Sequence, residues 1–177
     1  LILGVWYGFY PLVPLQLILL AFLNDIPIIS LAFDRVKILA KPSEVNVRER
    51  LILSLLFGSV GVINSILLFL LMTNVFHLSL PVIQTIFFLK LTVSGHALVF
   101  VAHTKERWYR FFPSRAVILA TVTTQILATA LAVSGFLMPA SISLSTAFLV
   151  WLWAFFWMQI SEYTKDVQTR YFQNHSK

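Results

Sequence analysis

Cysteine is absent from the 177 residues, which rules out disulfides and thiolate metal sites. Charge is scarce: 11% of residues are Asp, Glu, Lys or Arg, and only seven are acidic. The chain has no Gly-rich phosphate loop and no sizeable soluble stretch, so no nucleotide site is visible in it. His77, His96, His103 and His175 are too dispersed in the expected topology to form a zinc site, and no bound metal is expected. A basic start followed by a small-residue cleavage site, the mark of a signal peptide, is also lacking. Residue 1 is Leu rather than Met, and residues 1–10 are too short and apolar a stub to be a span; the expectation is the end of a transmembrane helix truncated in a fragment.

What remains is hydrophobic. Apolar residues make up 59% of the chain and the mean hydropathy is +0.86, values foreign to a soluble domain. The fold class expected is all-α, a polytopic transmembrane helix bundle of five full spans preceded by a partial helix. The spans are placed at about 12–33, 51–73, 82–103, 116–137 and 144–160. Together they form a bundle over 11–163, followed by a short polar tail at 164–177. The segment Phe9 to Pro14 reads as a turn at a membrane surface, with Trp6, Tyr7 and Tyr10 suited to the interface. In the second span Ser54, Gly58, Gly61 and Ser65 recur at spacings that would let a neighbouring helix approach closely, and Asn64 reads as ordinary packing.

The net charge of +6 could suggest nucleic acid, but its placement indicates membrane topology instead. Five basic residues lie in 34–50, four in 104–115 and three in the tail, which accounts for 12 of the 13; the remaining one is Lys90. Five spans put these three regions on one side, and the positive-inside rule makes that side, with the C-terminus, cytoplasmic. The expectation is a multi-pass protein of the plasma (cell) membrane, with the lipid bilayer as its partner and no nucleic acid.

Within the spans one acid stands out. Asp25 lies deep in the first span, where an ionised carboxylate costs about 3 kcal/mol or more and usually faces the protein interior for a purpose. Two residues later Pro27 lacks a backbone N–H, so the Leu23 carbonyl loses its helical donor and the helix should bend or unwind. A freed carbonyl in lipid needs another partner, which makes the segment a plausible cation or proton site. Calcium takes six to eight oxygen ligands and several carboxylates, whereas one acid suits one proton. Asp25 is thus the expected proton-binding residue, with Asn24 and Pro27 in support. Lys90 could supply a counter-charge to Asp25, or could snorkel or pair with backbone carbonyls. His96 and Gln125 could extend a polar path or simply bond neighbouring helices.

The run Leu23-Asn24-Asp25-Ile26-Pro27-Ile28-Ile29-Ser30-Leu31-Ala32-Phe33-Asp34-Arg35-Val36 resembles the sixth transmembrane helix of plasma-membrane-type proton-transporting P-type ATPases, with its LND motif and DRV-like end. Lys90 to Phe100 resembles the family's eighth helix and Gln125 to Val133 its ninth, so the resemblance covers nearly the whole chain. Ile26-Pro27 stands where many fungal and plant members have Gly-Thr, which looks more like prokaryotic relatives. The resemblance implies an ATP-driven proton pump in which Asp25 matches the proton-carrying aspartate and Asn24 lends local support. It also implies that ATP, Mg2+ and the DKTGT phosphorylation motif belong to cytoplasmic domains outside this fragment, which would carry no catalytic residue or cofactor and hydrolyse no ATP alone. The expected partners are protons and the missing N-terminal helices and cytoplasmic domains of the same pump. The alternatives are another cation-transporting P-type ATPase, or a stand-alone membrane scaffold or passive proton pathway.

Overall fold

The structure, a computed structural model, describes residues 2–34, 47–104, 107–110 and 112–175. A short helix α1 (Ile2–Tyr7) precedes α2 (Pro14–Ser30), α3 (Val47–Leu70), α4 (Leu80–Ala102), α5 (Arg115–Ser134) and α6 (Leu144–His175). No strand occurs among the described residues, and the five long helices are each long and apolar enough to cross a membrane. The all-α, five-span expectation therefore holds. Most of the basic loop expected at 34–50 lies outside the described residues, as does the Trp6 side chain.

Helix α4 is the centre of the bundle. Six consecutive residues, Thr85 to Lys90, are buried, which a helix with one apolar stripe could not achieve. Its neighbours are α2, α5 and α6, while α3 packs along α6. In lipid the hydrophobic effect gives helices little reason to associate, so close packing and interhelical hydrogen bonds must hold them. Helix α5 turns Val117, Thr121, Thr124, Ala128 and Ala132 inward, a face of mainly small residues at three- and four-residue spacing. It stops at Gly135, whose φ of 73° is left-handed. A Cβ there would also stand 3.0 Å from Cβ of Ser141, where the chain turns back so that Ile142 N–H donates to Ala132 O. Asn64 is buried and accepts 2.6 Å from Trp153 Nε1, so it joins α3 to α6 as a packing residue.

Polar contacts gather at the two ends of the bundle. At one end the buried Gln16 amide donates to Gln84 O, its oxygen accepts from Val13 N–H, and Gln84 Nε2 donates to Tyr10 O. At the other end Asp34 accepts from Ser114 N–H at 2.6 Å and pairs with His103 Nδ1 at 2.7 Å. Gln168 reaches Glu49 O there, and Arg107 meets Asp166. The segments expected to share one side of the membrane thus meet at one end of the bundle.

The polar segment after Ile160 continues α6 instead of forming a separate tail. Its charged residues Glu162 and Lys165 are buried. Lys165 Nζ donates to Val101 O, to Thr104 O and to Glu162 Oε1, the last at 2.9 Å, so it satisfies carbonyls that the end of α4 leaves without helical donors. Glu162 Oε1 also accepts from Trp108 N–H. Removing one member of such a pair strands the other. Lys165→Met should lower unfolding free energy by about 3–5 kcal/mol, measured by denaturant titration in micelles, and adding Glu162→Gln should recover part of the loss.

Candidate functional site

Helix α2 is continuous from Pro14 through Pro27 to Ser30 and tightens to a 3₁₀ turn only over Leu31–Phe33. The helix therefore does not unwind at Pro27. The reason is a substitute bond: His96 Nε2, reaching across from α4, lies 3.3 Å from Leu23 O, the carbonyl that Pro27 deprives of its helical donor. A carbonyl can only accept, so Nε2 carries the hydrogen. His96 is 1% exposed and Leu23 equally buried, which puts this bond inside the bundle. Ser30 Oγ donates to Pro27 O at 2.6 Å and braces the last turn.

Gln16, Leu23 and Pro27 form the buried stripe of α2. Asp25, two residues beyond Leu23 and so about 200° round the helix, faces the opposite way. It is exposed, with Phe22, Ile26, Ile28 and Ile29 exposed around it. The expectation that Asp25 points into this chain's own bundle is corrected accordingly: its face is left uncovered by α3 to α6. Asp25 makes no hydrogen bond or ion pair with the described residues.

The suggested counter-ion is elsewhere too. Lys90 is 2% exposed, and its ammonium turns to α3, where it donates to Ser65 Oγ at 2.8 Å. No Lys90–Asp25 pair forms, because the stripe of α2 that meets α4 is the one opposite Asp25. Asn24 takes an intermediate position beside α4. Its Oδ1 is buried without a partner among the described residues, and a Cβ on Gly95 would come within 3.3 Å of it. Gly95 is thus the gap in α4 that admits Asn24, and with His96 it makes α4 the complement of the Leu23-Asn24-Asp25 turn. Gln125 is half-buried on α5. No group of three or more His, Asp or Glu side chains able to hold a metal occurs among the described residues.

Sequence reasoning pointed to the orphaned carbonyl but left its partner open, and it did not anticipate Gln16, which anchors the start of the same helix. The only signal for Gln16 was an amide in the first turn of an otherwise apolar span.

Over 161 residues, 90% of its length, the chain is 38% identical to a Methanocaldococcus jannaschii protein named "Putative cation-transporting ATPase MJ1226". The chain is similar to part of a cation-transporting ATPase. It spans 20% of that protein's length. No model of a known protein family matches the chain. The similarity extends across both the α2 turn and the α4 residues that support it, since nearly the whole chain is included.

Proposed function

We propose that the chain is the membrane part of a P-type ATPase that exports protons, with Asp25 as the group that takes up and releases each one. The observation that carries this reading is a carboxyl in mid-span with no cation or donor assigned to it among the described residues, on a helix turn fixed from behind by His96. An ionised Asp25 facing lipid would be costly, so in the full-length protein its face meets other helices or carries a proton. The His96 bond keeps the helix continuous, so α2 can offer the carboxyl to alternating surroundings without unwinding.

In this reading the ATP and Mg2+ sites lie in other parts of the longer protein. Hydrolysis there supplies the energy, and the end of the bundle where Asp34, His103 and Ser114 meet is the cytoplasmic one, following the basic residues. The test is transport by the full-length protein in sealed liposomes. ATP should acidify the lumen when the ATP-facing side is outward, and a protonophore should collapse the signal. ATP-driven accumulation of another cation with no protonophore-sensitive pH change would move the reading to a different cation pump, and a reading frame without a phosphorylation motif would move it to a scaffold.

A further inference from the structure

A second polar place in the membrane-spanning region has nothing to do with Asp25. Because α3 packs along α6, a cavity of about 350 Å³ remains between α3, α4 and α6. Among the described residues no helix packs closely on Gly58 or Gly61: both are exposed, a Cβ built on either would find no atom within 4 Å, and both line this cavity. Lys90, near the middle of α4, forms one wall. The space extends along α4 to Val101 and along α6 to Ser161, toward the end of the bundle where the basic segments gather.

Among the described residues Lys90 is the one charged residue lining this space. Lys90 Nζ donates to Ser65 Oγ, and Ser65 Oγ passes its own hydrogen to Gly61 O at 2.8 Å, so the hydroxyl is committed in both directions. Two of the three ammonium hydrogens are then left without a protein acceptor among the described residues. Ser94 Oγ and Trp157 Nε1 also lack a partner among the described residues, but both atoms are shut off from the open space. Asn64 has given its oxygen to Trp153 Nε1, which leaves its amide hydrogens. No Asp or Glu lines the cavity. A buried ammonium needs compensation, and nothing negative on these three helix faces supplies it.

We propose that this cavity binds a small monovalent anion of the halide class, held by the Lys90 ammonium. A single fixed cation and walls of Phe57, Val60 and Leu98 suit a singly charged, weakly hydrated ion and disfavour sulfate or phosphate. The site is independent of which ion is pumped.

The test uses the full-length protein in nanodiscs and gluconate buffer, with bromide as the probe and tryptophan emission as the readout. Bromide should quench saturably, and Trp157→Phe should remove the saturable component. Chloride should compete and sulfate should not. Lys90→Met should weaken bromide binding by at least about tenfold, whereas Lys90→Arg should keep it within about threefold. Gly61→Leu, which fills the cavity without altering charge, should also abolish the saturable component, so the result does not depend on Lys90→Met folding well. Linear quenching of equal slope in wild type and Lys90→Met would overturn the proposal. So would displacement of bromide by anionic lipid but not by chloride, which would assign the donors to a lipid headgroup.

Discussion

Asp25→Asn in the full-length protein should reduce ATP-driven proton uptake by about a hundredfold or more, while leaving unfolding free energy unchanged or slightly raised. The amide has the same shape but takes up no proton in the working pH range, so a carrier loses its cargo site. Stability should behave differently, because Asp25 makes no bond or ion pair with the described residues and the substitution removes an ionisable group from mid-span. The combination separates two roles. A carboxyl that merely held helices together would lose stability along with transport, and transport surviving in Asp25→Asn would remove the site from α2. Asp25→Glu should retain part of the activity, since the titrating group persists about one methylene out of place. Vesicle acidification and denaturant unfolding, measured on the same preparations, decide the matter.

His96→Leu should destabilise the fold by about 2 kcal/mol, and the loss should shrink to less than about 1 kcal/mol when Pro27→Ala is present. In the native chain the Leu23 carbonyl has His96 as its partner because residue 27 has no N–H to offer. Leucine at 96 leaves that carbonyl bare in a buried setting, where no water reaches it. Alanine at 27 returns the helical donor, so the histidine is no longer needed for this purpose. Any cost from changing the packing at 96 appears in both backgrounds and cancels in the cycle. Equal losses with proline and with alanine at 27 would show that the interhelical bond contributes nothing.

The large features of the molecule were legible in the sequence because hydropathy and charge act on long segments. Five apolar runs give five helices, and the basic residues outside Lys90 predict which segments meet at one end. Orientation about each helix axis was not legible. Helix α4 is apolar nearly all round, so nothing in its pattern said that Lys90 faces α3 while His96 faces α2. Asp25 was placed inward by the rule that intramembrane acids avoid lipid, a rule that holds for an assembly and not for whichever part of it a chain supplies. Gly58 and Gly61 carried the pattern of a close helix contact, yet the same lack of side chain equally leaves room for a void. The burial of Glu162 and Lys165 was not legible either, because spacing along a helix does not show which face a third helix will cover.

The length of α6 has a mechanical consequence. At 32 residues it is about 48 Å long, well beyond the roughly 30 Å of bilayer hydrocarbon, and its far third is riveted to the tips of two other rods: Lys165 to α4 and Gln168 to α3. A small swing of this lever arm would drag both tips with it.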